Sequence, residues 1–463
     1  YVIEDIETSY WHSPTSSYGQ AFKGSGVGKD YPGNIVGLFK DLYDVVNRKY
    51  YSDVSAYIID PAIDFQIAAI FFAPNAIMIF KKDVHFPDIG RLAGGKTNDA
   101  FLRHVGEARK KIAKFSVDRN TQARDPQQVR GESADAFQGE ALHWNERSTD
   151  GALTQAMRRS DTDKYSTHHY NLWYEVFLEP YRRRPVNFME IGADRGKSLV
   201  AWAVYFRNAS LIQGVRYGTS IDSEQMGCEA INLTKPCAIV KVVDGNQNDP
   251  GFLRGLARTD WDVIVDDGSH VPEHQLRSFV HLFPSVRPGG LYVIEDIETN
   301  YWRSPSSIYG QPFDGSGVGK DYPGNIIGLF RSYWHSPTSS YGQAFKGSGV
   351  GKDYPGDLYD VVNRKYYSDV SDANAYIIDP AIDFQIAAIF FAPNAIMIFK
   401  KDADFEDIGR PASKTDNYAF LSHVREARKK LSKFVLPSLT RTTSNSTSQK
   451  SSQVFRGPSH SGS

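Results

Sequence analysis

Between Tyr170 and Asp296 the apolar positions keep changing their period. Stretches with apolar residues three and four apart alternate with short unbroken apolar runs. The first kind predicts helices over Tyr170–Tyr181, from the glycine turn after Ile191 through Phe206, over Phe252–Ala257, and over the run HQLRSFVHLF. The second kind predicts strands at Val186–Ile191, in a run ending at Asp222, at about Ala238–Val243, in WDVIVDD (Trp261–Asp267) and in LYVIED (Leu291–Asp296), the last entered by a turn at RPGG. Unbroken apolar strands alternating with helices predict an α/β fold, a parallel sheet covered on both faces. The apolar stretch Ala375–Phe399 has the length of a membrane span. Asp383 and Gln385 interrupt it, and Ala392-Pro393-Asn394 is a turn signal in its middle, so it reads as two buried strands folded into a hairpin.

The same pattern occurs twice. Tyr1–Asp83 returns at Tyr292–Asp402 nearly letter for letter, whereas the stretch from about Asp161 to Leu291 has no earlier counterpart. A weaker match continues through 88–115 and 407–434, each a loop followed by a basic amphipathic helix. The expected organisation is a partial duplicate at 1–115, a polar linker at 116–160, a complete domain at 161–435 and a Ser/Thr-rich disordered tail at 436–463. A further repeat, 332–356, is identical to Ser9–Gly33 and interrupts the second copy of a helix that runs from Asn34 to Asp53 in the first. The chain opens on Tyr1 in mid-strand, which reads as a truncated start. One sheet is expected to have room for one hairpin: the second copy, nearer in the chain, enters it, 332–356 loops out, and the first copy docks loosely or is poorly ordered.

Composition narrows the classes. Hydrophobic residues at 41% and aromatics at 13% suit a well-cored globular protein. A formal charge of −1 leaves no surplus of cations for nucleic-acid phosphates. Cys228 and Cys237 fit neither a metal pattern nor a disulfide framework. The sequons at Asn208, Asn232 and Asn445 hint weakly at secretion, and the compartment stays open with the cytoplasm favoured.

The chemistry gathers at predicted strand ends. Glu190-Ile191-Gly192-Ala193-Asp194-Arg195-Gly196 is a strand-to-helix turn whose glycines let backbone approach a ligand. Its spacing is not the G-x-G-x-x-G of dinucleotide binders. Asp222 ends the next strand, where an acid can accept hydrogen bonds from a ribose diol; an exposed loop acid is the plainer alternative. Asp266-Asp267-Gly268-Ser269-His270 and Glu295-Asp296 end two strands expected to be neighbours. Carboxylates so gathered repel one another unless a cation joins them, and hard oxygen ligands suit Mg²⁺. The plainer alternative is that Asp267 and Ser269 cap the following helix. GSGVGKD (315–321) lacks the Ser or Thr of a phosphate loop and reads as a lid.

In order along the chain, TDKYSTHHYNLWYE, EIGADRGKSL, DVIVDDGSH, RPGGLYVIEDIET and the closing hairpin resemble the metal-dependent, S-adenosylmethionine-using sugar O-methyltransferases of the macrolide (mycinamicin and macrocin) type. The resemblance covers about Asp161–Asp402. It implies a class I methyltransferase, a Rossmann-like, doubly wound and mostly parallel seven-stranded sheet. It implies Asp267, Glu295 and Asp296 as Mg²⁺ ligands, and His270 as the catalytic base beside Asp267. It further implies Glu190, Gly192, Gly196, Asp222 and Asp244 in the S-adenosyl-L-methionine pocket. The acceptor implied is a hydroxyl on a sugar-like small molecule. Thr162-Asp163-Lys164 and His169 fall in a motif of that family without an assigned role. Two departures stand out: the GDQ-x-D of such proteins is replaced by Asp244-Gly245-Asn246-Gln247-Asn248-Asp249, and the lid after Glu295 is duplicated. Glu4 and Asp5 match Glu295 and Asp296, yet the first copy has no glycine turn or DDGSH, so one site is expected. The expected partners are the small-molecule substrate and, as an option, further copies of the chain, with no nucleic acid and no membrane span. The alternatives are a catalytically impaired fusion that serves binding or assembly, and a nucleotide-binding oxidoreductase.

Overall fold

Helices and strands alternate after Tyr170 as the apolar periods predict. The computed structural model describes residues 1–6, 35–47, 57–82, 109, 151–218, 239–301, 326–330, 376–405, 425 and 428. The first copy contributes β1 (Val2–Glu4), α1 (Ile35–Val46), α2 (Pro61–Asp64), β2 (Ile67–Ala73) and β3 (Ala76–Lys81). Next come α3 (Ala152–Ser160), α4 (Asp163–Ser166), α5 (Asn171–Leu178), β4 (Asn187–Ile191), α6 (Lys197–Tyr205), β5 (Leu211–Arg216) and β6 (Val240–Asp244). The chain continues with α7 (Pro250–Leu256), β7 (Trp261–Asp266), α8 (Pro272–Leu282), β8 (Val286–Glu295), α9 (Ile326–Phe330), α10 (Pro380–Asp383), β9 (Ile386–Ala392) and β10 (Ala395–Lys400).

The strands form one ten-stranded sheet in the order β1-β3-β2-β9-β10-β8-β7-β4-β5-β6. From β8 to β6 all neighbours are parallel; from β8 outward to β1 all are antiparallel. The order runs outward in both directions from β4 and β7, so their carboxyl ends border the crevice where open α/β sheets bind ligands. Two apolar layers close the sheet. One joins α1, α7, α8 and α9 through Leu42, Tyr43, Leu253, Phe279 and Phe330; the other joins α3, α5 and α6 through Leu153, Trp173 and Trp202. Trp173, Trp202 and Trp261 are fully buried, and a side chain of that size contributes roughly 1.5–3 kcal/mol or more when taken out of water.

Three expectations change. The sheet has ten strands rather than the expected seven and is mixed rather than mostly parallel, because it admits both hairpins: β9 and β10 of the second copy pair beside β8, and β2 of the first copy then pairs antiparallel with β9. A sheet edge is a row of unpaired amides and carbonyls, and an identical apolar strand in the same chain is well suited to cover it. The polar stretch read as a linker to residue 160 ends in α3, whose Leu153, Ala156 and Met157 are buried. RPGG lies within β8 rather than before it, where the pairing with β7 shifts register. Asp222, both cysteines, 332–356 and the tail lie outside the described residues, and β5 closes at Arg216. Ala375–Phe399 supplies α10 and the β9–β10 hairpin, and among the described residues no helix is long and apolar enough to cross a membrane.

The two copies fold alike locally. Asp60 and Asp379 cap α2 and α10 by accepting from Ala62 and Ala381, at 2.7 and 2.8 Å. Arg109 bonds the Tyr57 carbonyl as Arg428 bonds that of Tyr376. β1 pairs with β3 (Val2 opposite Met78) as β8 pairs with β10 (Val293 opposite Met397).

Candidate active site

Three strand ends build the site. β4 ends at Ile191, and the chain turns at Gly192 with φ +98°. A Cβ there would sit 1.8 Å from the Asp267 carbonyl, so this approach of the β4 turn to the β7 end needs glycine. The turn is pinned by the Gly192 and Ala193 amides, which donate to the Val215 carbonyl at 2.8 and 2.9 Å. Gly196, also left-handed, opens α6, whose Ser198 hydroxyl donates to Glu190 Oε2 at 2.6 Å. β7 and β8 then deliver Asp266-Asp267 and Glu295-Asp296 side by side, as their sheet adjacency requires.

These turns line a cavity of about 1080 Å³ that includes Gly192, Arg195, Tyr217, Gln247, Asp267, His270 and Asp296. Asp267, His270 and Asp296 each present a donor atom to it, all within 4.8 Å of one another. His270 and Asp296 both hold left-handed backbone, φ 55° and 51°, a conformation that costs non-glycine residues energy and clusters at functional sites. Asp296 has several polar neighbours. The Tyr170 hydroxyl donates to its Oδ1 at 2.6 Å and the Asn394 side-chain amide at 2.9 Å, His168 Nδ1 lies 3.4 Å from Oδ1, and His270 Nε2 lies 3.7 Å from Oδ2.

Behind this trio lies a cation the sequence reading left without a role. Lys164 Nζ, fully buried, is 2.6 Å from Asp267, 2.5 Å from Glu295 and 3.2 Å from Glu190. Burial by itself would lower its pKa, but Asp267, Glu295 and Glu190 together outweigh burial and hold it well above the ordinary lysine value. Glu295 also accepts from the Tyr174 hydroxyl, and burial raises its carboxyl well above the usual range against the pull of Lys164. Burial likewise pushes Asp267 up to about 6, with Lys164 and His270 drawing it down, and Asp266 up to about 7. Acids raised by burial are the ones a further cation would stabilise in charged form.

The sequence candidates therefore divide. Asp267, His270 and Asp296 come together at the cavity; Glu295 faces Lys164 and Tyr174 instead. Gly192 lines the cavity and Gly196 shapes its helix, while Glu190 sits beneath, hydrogen-bonded to Ser198 and ion-paired with Lys164. Asp244 pairs with Arg216 at 2.8 Å, and Gly245, Asn246 and Gln247 line the cavity in its place. Gln247 donates to Asp266 at 2.6 Å and accepts from the Ser269 amide at 2.8 Å, so it ties the β6 turn to the DDGSH turn. Neither Asp267 nor Ser269 caps α8: its N-cap is Val271, without a side-chain cap. Lys164 and Asn394 were visible only as part of a motif and as a turn residue; nothing local to them announces their partners.

Residues 189–297, from β4 to just past β8, match the family described as Methyltransferase domain. Among curated proteins the chain is 37% identical over 160 residues to the 8-demethyl-8-alpha-L-rhamnosyl tetracenomycin-C 2'-O-methyltransferase of Streptomyces olivaceus, covering 33% of this chain and 39% of that one. It is 38% identical over 160 residues to the demethylmacrocin O-methyltransferase of Streptomyces fradiae, covering 32% and 37%. The matched region thus spans about two fifths of these relatives' length. Among solved structures, MycE methyltransferase from the mycinamycin biosynthetic pathway, in complex with Mg and SAH, is 26% identical over 58% of this chain and 59% of that one, with a TM-score of 0.42. The segment from Met189 to Ile297, with its parallel strands and intervening helices, is therefore similar to a methyltransferase domain.

Proposed function

We propose that the chain is an S-adenosylmethionine-dependent O-methyltransferase that uses Mg²⁺ and acts on a hydroxyl of a sugar-bearing small molecule. The observation that carries this reading is the Asp267–His270–Asp296 cluster opening into the same cavity as the Gly192 turn. The names of the curated relatives, O-methyltransferases for rhamnosyl tetracenomycin and demethylmacrocin, support the substrate class. A site assembled in this way does not favour the impaired-fusion alternative.

The donor set fits a hard divalent cation: two carboxylates and an imidazole converge, and a lysine stabilises the acids behind them. Asp267 and Asp296 would hold Mg²⁺, with Glu295 joining them if it exchanges Lys164 for the ion. Bound there, the ion would lower the pKa of an acceptor hydroxyl. His270 accepts the hydroxyl proton, and Asp296 beside it stabilises the imidazolium that forms. The turns at Gly192 and at Gly245–Gln247 would seat the methyl donor, with Gly192 allowing backbone contact. Fixing donor and acceptor at attack distance supplies much of the acceleration in such transfers.

Asp267→Asn and His270→Ala both abolish methyl transfer to glycoside acceptors, followed by product mass, but they separate in calorimetry. Asp267→Asn weakens Mg²⁺ binding by 10-fold or more and is partly rescued by excess metal; His270→Ala leaves most of the Mg²⁺ affinity. Loss of Mg²⁺ affinity in His270→Ala as severe as in Asp267→Asn would make the imidazole a ligand rather than the base. Undiminished turnover in both variants would remove the catalytic assignment.

A further inference from the structure

The junction between the two copies has an internal symmetry that chance docking does not require. β2 and β9 have the same sequence, IAAIFFA, and pair antiparallel with Phe71 opposite Phe390, the same position in the two copies. On either side, Ile70 faces Phe391 and Phe72 faces Ile389, so each pair is the other's image about an axis through the phenylalanines. The aromatic contacts obey the same axis. Phe71 meets Phe399 at 5.5 Å, and Phe80 meets Phe390 at 5.6 Å, although only the backbone strands were obliged to match. This is the geometry of an isologous two-fold interface, in which a surface patch recognises itself.

More than a strand crosses the axis. α1 of the first copy sends its Tyr43 hydroxyl to the Ala392 carbonyl at 3.1 Å, and Asn47 Oδ1 accepts from the backbone N–H of Asn394 at 3.2 Å. Asn394 is the residue that holds Asp296. The first copy therefore braces the turn beneath the site of the second.

We propose that β9 is a self-recognition edge for a second copy of this chain, and that residues 1–83 act as a partner subunit in cis that occupies it. The chain carries half of its own dimer interface and so satisfies the edge without a second molecule. This inference concerns assembly and stands whether or not the proposed activity is correct.

The symmetry makes the test specific in register. With the first copy in place, position 390 faces position 71; with it displaced, two chains pairing about the same axis bring 390 against 390. Directly opposed Cα atoms in antiparallel strands lie about 4.5–5.5 Å apart, within disulfide range. In the full chain, Phe71→Cys with Phe390→Cys should form a disulfide within one molecule on mild oxidation, identified by peptide mapping. Phe71→Glu places a charge in the aromatic cluster and should release the edge, doubling the mass in light scattering relative to the unaltered chain. In that background a single Phe390→Cys should link two chains 390 to 390, whereas Ile389→Cys should not link to itself. Circular dichroism verifies that the variants are folded, and Phe71→Ser, which keeps the strand and removes the ring, should give the same dimer at higher protein concentration. Folded Phe71 variants that keep the parent mass and form no 390–390 disulfide would overturn the proposal.

Discussion

Lys164 shows at the scale of one residue how the site is balanced. It bridges three carboxylates, two of which, Glu190 and Glu295, are fully buried, so its removal leaves buried charge without compensation. Breaking a buried ion pair by deleting one partner costs about 3–5 kcal/mol. Lys164→Met should therefore lower unfolding stability by about that much, and Mg²⁺ should restore part of it by neutralising the same acids. Denaturant titration with and without Mg²⁺ measures both; a variant as stable as the parent and indifferent to Mg²⁺ contradicts the counter-ion role. TDKY marks Lys164 as part of a motif, but two of its three partners, Asp267 and Glu295, lie more than a hundred positions away, beyond any local pattern. Glu295 illustrates the same point. It is the last residue of β8 and meets Lys164 and Tyr174, whereas the chain turns left-handed at Asp296, which faces the cavity.

At the scale of elements, the hairpin β9–β10 is both sheet edge and scaffold. The cap at its entrance holds Asp383, fully buried, whose carboxylate accepts from the amides of Ile377, Ile378 and Asp379. Burial nevertheless pushes its pKa up to about 7, against the pull of those amides. The unfolded chain releases this proton near pH 4. Between about pH 4 and 7 the folded state thus holds a proton that the unfolded state has lost, and stability falls as pH rises through that window. Asp383→Asn cannot ionise and should flatten this part of the slope, by up to a few kcal/mol between pH 4 and 8. Unfolding midpoints across that range provide the measurement, and an unchanged slope would show that the carboxyl does not titrate there. The turn of the same hairpin ties Asp296 through Asn394, while the Glu298 amide donates to Asn394 Oδ1 at 3.0 Å.

At the scale of the whole molecule, the first copy is part of one continuous sheet and one continuous core. Its α1 lies in the same apolar layer as Phe279, Phe330 and Phe391. The chain from Asn47 through Asn394 to Asp296 links that copy to the site. Asn47→Ala should accordingly weaken Mg²⁺ binding by several-fold with little change in the adenosylmethionine affinity, since the Gly192 turn lies on other strands. Parallel titrations of the two ligands decide it: equal losses in both would indicate general destabilisation rather than bracing of Asp296.

The alternation of periods determined the doubly wound sheet, because burial on both faces writes itself into each strand as an unbroken apolar run. Motifs at the strand ends determined which acids and glycines border the crevice, since a parallel sheet gathers those ends at one edge. Tertiary structure decided the rest. Identical strands carry no signal that says which will lie next to β8, or that both will enter the sheet; that choice belongs to edges and their partners. That Glu190, Asp267 and Glu295 meet Lys164, and that Asp267 and Asp296 gather beside His270, is likewise decided by contacts between segments distant in sequence. A linear pattern specifies what each segment can bury, whereas the contacts that order the site exist only once the segments have been brought together.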